Sequence, residues 1–207
     1  PCLLVDGGRL VKTVRFSRPT YLGDPVNVVR IFNDKEVDEL ILLDISAGRR
    51  TQGPPFELIA DVASECFMPL GYGGGVQSLE QIERLFTLGL EKVAINTAAH
   101  GDPDLVRRSS AIYGSQSIVV SMDVRRTWWR GPRVYVNGGR SGTTWDPVSY
   151  ARRAEDLGAG ELLVNSIDRD GRMCGYDVEL MSRISAAVRI PVVACGGAGS
   201  LEDLADI

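Results

Sequence analysis

Glycines carry the first chemical signal in this chain. Gly73, Gly74 and Gly75 stand together in PLGYGGGVQSLE (69–80), between a short apolar run and Ser78 at the head of a helix-like stretch. A related phrase, PVVACGGAGSLE (191–202), brings back Gly196, Gly197 and Ser200. Pro69, Gly74, Gly75 and Ser78 each find their match at one offset (196 − 74 = 122). Glycine lets backbone N–H groups approach an anion closely, and the following helix presents its positive end, so each loop is a candidate phosphate grip. Tight turning between a strand and a helix is the other use of such glycines. Asn96 and Thr97, in KVAINTAA (92–99), are placed to add donors to the first loop. Two grips facing each other suit an elongated ligand with a phosphate at each end.

Other residues able to do chemistry are weighed against plainer roles. Asp44, Asp168 and Asp170 each follow an apolar run, where a carboxylate either serves a site or caps a helix and holds a loop. Trp128 and Trp129 lie among Arg125, Arg126, Arg130 and Arg133, which reads as a lid or docking hairpin. Net charge is −4, which argues against a general nucleic-acid surface. His100 is the single histidine, so a multi-histidine metal site is excluded, and it reads as a surface loop residue. Cys2, Cys66, Cys174 and Cys195 are far apart and lack metal spacing, as expected of reduced, mostly buried thiols in a cytoplasmic protein. No apolar run is long enough to span a membrane. No metal and no cofactor is expected.

The elements that must position these residues alternate. Short apolar, β-branched runs predict strands at 2–6, 39–45, 68–72, 92–96, 117–123, 161–165 and 192–195. Helical periodicity predicts helices over 25–36, 56–66, 79–88, 103–113, 147–157 and 178–188. Strand–helix repeats of this length imply a parallel sheet with right-handed crossovers, and the strands are apolar on both faces. Eight such units close a barrel; seven are visible, and the chain stops where an eighth strand would begin. The expectation is therefore an α/β fold, a (β/α)8 TIM barrel over 1–207 as a single domain, truncated at both ends. An open flavodoxin-like sheet is the alternative. DELILLDI (38–45) and GELLVNSI (160–167) share the same offset as the glycine phrases, so an internal half-barrel duplication is expected. Residues 125–140 interrupt it as a hairpin insertion.

At these residues the chain resembles the cyclase subunit of imidazole glycerol phosphate synthase, the HisF-like family of histidine biosynthesis. The motifs are GDP (23–25), VDELILLDI (37–45), GGG (73–75), KVAINTAA (92–99), YGSQ (113–116), VVSMDVRR (119–126), GAGELLVNSIDRDG (158–171), GYD (175–177) and CGGAGSLE (195–202). The resemblance implies a lyase-type cyclisation fed by ammonia from a HisH-like glutaminase docked at the N-terminal face of the barrel. It also implies a phosphorylated small-molecule ligand held by Gly74, Gly75, Asn96, Thr97, Asp170, Gly171, Gly196 and Gly197. Two aspartates would act as general acid and base. One is Asp123. At the other position the family reads CLDVK and this chain reads Cys2-Leu3-Leu4-Val5-Asp6, so Leu4 stands in the catalytic place. Asp6, two residues on, is displaced by roughly 6–7 Å along an extended strand. Asn165 stands where the family has threonine.

Glu39, Lys92 and Glu161 open three of the predicted strands. Charges there often cap a barrel by facing solvent; the resemblance implies an ammonia gate. LLVDGGRLVKTVRF (3–16) and the stretch after it resemble a paralogous branch that serves surface-polysaccharide synthesis. That branch hands ammonia to an ATP-dependent amidating ligase acting on an acetamido sugar. The expected function is thus an ammonia-conducting barrel subunit of a glutamine amidotransferase system. A working cyclase using Asp123 with Asp6, and a non-catalytic phosphate-binding scaffold that activates a glutaminase, are the alternatives.

Overall fold

The computed structural model describes residues 1–49 and 53–207. They form two compact units, Pro1–Lys12 with Pro19–Ile95, and Thr13–Arg18 with Asn96–Ile207.

In the first unit β1 (Cys2–Asp6) runs antiparallel to the first residues of β2 (Arg9–Val14) and parallel to β4 (Leu40–Asp44). β4 continues parallel to β5 (Leu70–Gly73), and β5 to β6 (Lys92–Ile95). Helices α1 (Pro25–Asp34), α2 (Phe56–Glu65) and α3 (Leu79–Thr87) cross between these strands. The GDP motif is a helix start: Asp24 accepts from Asn27 N at 3.2 Å and Pro25 fills the first turn, where its missing N–H costs nothing. α3 shows the amphipathic logic: Ile82 and Leu85, three apart, are buried. β3 (Ser17–Gly23), exposed along nearly its whole length, completes a hairpin with β2 that the sequence did not foretell.

The second unit holds α4 (Thr97–Gly101), α5 (Pro103–Tyr113) and the long strand β7 (Ile118–Thr127). β7 runs parallel to β10 (Glu161–Ser166), and β10 to β11 (Val192–Cys195). Every residue of β7 from Ile118 to Val124 is buried, as in a strand covered on both faces. β7 outruns its expected end at 123 because its last residues pair antiparallel with β8 (Gly131–Val136), which in turn pairs with β9 (Ser141–Gly142). This is the expected hairpin insertion. α6 (Pro147–Asp156), α7 (Val178–Ser185) and α8 (Leu201–Ala205) complete the unit. All seven expected parallel strands are present, and their alternation with helices is the α/β architecture of (β/α)8 barrels.

Several boundaries and burials differ from expectation. Glu39 precedes β4, and α7 stops at Ser185. His100 lies within α4, half-buried against the Tyr150 ring at 6.4 Å, and is not a loop residue. Cys174 is exposed, while Cys2, Cys66 and Cys195 are half-buried. Among the described residues no helix is long and apolar enough to cross a membrane.

Candidate functional site

Asp123 is a buried carboxylate on β7 of the second unit. The alternation of β7 puts Ser121 and Asp123 on one face and Met122 and Val124 on the other. Register sets Asp123 opposite Asn165 on β10 and Tyr135 on β8. The Asn96 side-chain N–H donates to Asp123 Oδ2 at 3.1 Å and to Ser121 O at 3.0 Å. Burial pushes the Asp123 carboxyl up from 3.8 to about 7; the Asn96 donation opposes this and the Asp170 charge adds to it. Near neutral pH such a group can give or accept a proton.

Asn165 adds the second polar feature. It is buried, and its Oδ1 has no hydrogen-bond partner among the described residues. Orphaned buried acceptors are rare and mark a place for a ligand or water. Gly196 sits against it: a Cβ on Gly196 would lie 2.7 Å from Asn165 Oδ1, and its φ of 86° also favours glycine. Gly197, with φ 119°, is packed on the Gly175 carbonyl, and Gly175 N donates to Gly197 O at 2.9 Å. The GYD motif therefore supports this loop from below, while Asp177 caps α7 and accepts from Arg126 at 3.1 Å.

The other expected residues take definite places. Thr97 Oγ1 accepts from Asn137 N at 3.0 Å, joining α4 to the hairpin insertion, and donates to Asn96 Oδ1 at 3.3 Å. Asp170 Oδ2 accepts from Thr13 Oγ1 at 2.8 Å and Phe16 N at 3.1 Å, and Gly171 packs directly on the Thr13 carbonyl. Asp168 accepts from Arg126 N at 2.8 Å. In the first unit, Gly74 and Gly75 (φ 128° and 68°) form the turn after β5, and a Cβ on Gly74 would lie 2.5 Å from Asp44 O. Asp44 holds its own loop, accepting from Ser46 N at 2.8 Å and Ala47 N at 3.1 Å. Close backbone packing thus requires both glycine loops, whatever else they bind.

The position expected for a second acid–base aspartate is apolar. Leu4 lies between Leu43 on β4 and Val11 on β2, and Asp6 faces Arg9 across the hairpin. Glu39 and Lys92 meet, with Lys92 Nζ 2.7 Å from Glu39 Oε1 and 2.9 Å from Oε2. Glu161 begins β10, half-buried. The structure thus unites Asn96 with Asp123, Gly196 with Asn165, and Glu39 with Lys92. Sequence reasoning gave Asn96 to the first glycine loop and missed its contact with Asp123. It also missed the grip of Asp170 on the 13–16 turn. Neither contact leaves a periodic trace.

Parallel strands alternating with helices, two of the strands followed by glycine turns, define a barrel-type α/β protein. The chain matches the family described as histidine biosynthesis protein over residues 1–207. It belongs to that family, and to its HisF-like members. It is 53% identical to a Pseudomonas aeruginosa protein named, provisionally, imidazole glycerol phosphate synthase subunit hisF2, covering 100% of this chain and 82% of that one. A Nostoc protein named imidazole glycerol phosphate synthase subunit HisF is 46% identical, over 99% of this chain and 80% of the relative. A Leptospira interrogans protein, provisionally given the same subunit name, is 45% identical over 99% and 81%.

Proposed function

We propose that this HisF-like chain is the ammonia-conducting barrel subunit of a glutamine amidotransferase. It would dock a HisH-like glutaminase at the N-terminal ends of its strands. The ammonia would serve amidation of a sugar acetamido group, with an ATP-dependent ligase completing the transfer. The observation that carries this reading is Leu4: it is flanked by Leu43 and Val11 and cannot transfer a proton, so Asp123 lacks its partner at the family's position. Loss of one member of an acid–base pair costs about 10²–10⁴ in rate. The Glu39–Lys92 pair supports the ammonia-gate reading. Phosphate would be held at Gly74 and Gly75 in the first unit, and at Asn96, Thr97, Asp170, Gly171, Gly196 and Gly197 in the second.

The test is turnover of the imidazole glycerol phosphate synthase substrate with ammonium salts. The wild-type chain is expected to be inactive, and Leu4→Asp to gain activity that Asp123→Asn removes. Wild-type turnover that Asp123→Asn abolishes would overturn the reading. It would establish the second one, a working cyclase. That second reading is favoured by the Asp123 carboxyl near neutrality and by the names of the relatives.

A further inference from the structure

We propose that the second unit carries an additional anion site, formed by Arg15, Arg18 and Arg125, that takes the diphosphate of a small-molecule ligand. These residues, with Val14 and Ser17, line one open cleft of about 480 Å³. That volume lies within the range of small-molecule sites. None of the five belongs to the glycine loops or to the residues expected to hold phosphate.

Positive charge is concentrated there and only partly compensated. The chain as a whole carries −4, yet three guanidinium groups line this cleft. Arg15 reaches Asp168 at 3.4 Å, with its side chain 58% exposed. Arg125 lies over the Tyr135 ring at 4.8 Å. Neither Arg18 nor Arg125 makes an ion pair among the described residues. Like charges sharing a concavity repel, and a multiply charged anion relieves that repulsion. Guanidinium groups match phosphoryl oxygens in pairs, which suits a diphosphate better than a single phosphate.

The backbone holds the arginines in place at a cost. Arg15, Phe16 and Arg18 have φ of 54°, 58° and 53°, the left-handed region that side chains disfavour. Asp170 fixes this turn through Phe16 N (3.1 Å), Thr13 Oγ1 (2.8 Å) and, by its carbonyl, Arg15 N (3.0 Å). Local strain held by surrounding contacts gathers at ligand sites. Because all of these residues lie in the second unit, the site stands whether or not the chain conducts ammonia.

Calorimetric titration of the full chain with inorganic pyrophosphate at low ionic strength tests it. A binding component is expected that falls at least tenfold in Arg18→Glu/Arg125→Glu. It should weaken with added salt and exceed the affinity for inorganic phosphate. Arg183→Gln, at an exposed arginine of α7 outside the cleft, is expected to leave it within twofold. Arg18→Gln/Arg125→Gln replaces the charge-reversed pair if that pair melts early by circular dichroism. Pyrophosphate affinity unchanged in a folded variant of the cleft arginines, or lost equally in Arg183→Gln, overturns the proposal.

Discussion

A carboxyl held near neutrality by burial makes both chemistry and stability depend on pH. Folded Asp123 keeps its proton up to about pH 7, whereas the unfolded chain releases it near 3.8. Between these values the folded state binds more protons, so this group's contribution to stability falls as pH rises and levels off above about 7. Lifting a carboxyl from 3.8 to about 7 amounts to on the order of 4 kcal/mol once both states are ionised. Asp123→Asn keeps an acceptor for Asn96 and removes the charge. In urea denaturation it is expected to be more stable than the parent at pH 8 by a few kcal/mol, and close to it at pH 4. Asp123 was legible in the sequence through VSMDVRR, because the carboxylate sits in a recognisable phrase. Its partner Asn96 was not, because the two are 27 residues apart and only folding brings them within 3.1 Å.

The repeat that shows in the glycine phrases also shows in the helix starts that follow them. Ser78 (φ −144°, ψ 158°) accepts from Gln81 N, and Ser200 (φ −142°, ψ 170°) accepts from Asp203 N. The caps match, but what they hold does not: α3 buries Ile82 and Leu85, and α8 buries nothing. Ser78→Ala is therefore expected to lower global stability by about 1 kcal/mol in thermal or urea unfolding. Ser200→Ala is expected to raise amide exchange in Leu201–Ala205 and leave the global transition in place. Strands and helices were legible because burial imposes a period on them. The β2–β3 hairpin was not: Ser17–Leu22 is exposed throughout, so no alternation marks it. Its turn is pinned by Asp170, 157 residues from Thr13 and 154 from Phe16.

For the molecule acting with a partner, the Glu39–Lys92 pair separates stability from function. Both side chains are partly exposed, at 41% and 22%, so the pair is worth about 0–1 kcal/mol. Glu39→Gln is expected to shift the melting temperature by no more than about 4 °C. The proposed gate predicts a larger effect elsewhere: with a HisH-like glutaminase present, glutamine-dependent transfer should fall several-fold relative to ammonium-dependent transfer. Equal loss with both nitrogen sources would remove the gate from the proposal. Family membership over the whole chain sets the frame for this test, and the apolar neighbours of Leu4 set its direction.

By itself the sequence determined the order of strands and helices, the two glycine turns, the apolar residue at position 4 and the family. These follow from local pattern: periodicity of burial, turn chemistry, and phrases that keep their spacing. Tertiary structure alone decided that Asn96 donates to Asp123, that Asn165 Oδ1 is buried without a partner among the described residues, and that Asp170 grips the turn bearing Arg15 and Arg18. Those facts depend on residues distant in the chain and on how much water each polar atom keeps. The packed chain sets that quantity; no local pattern encodes it.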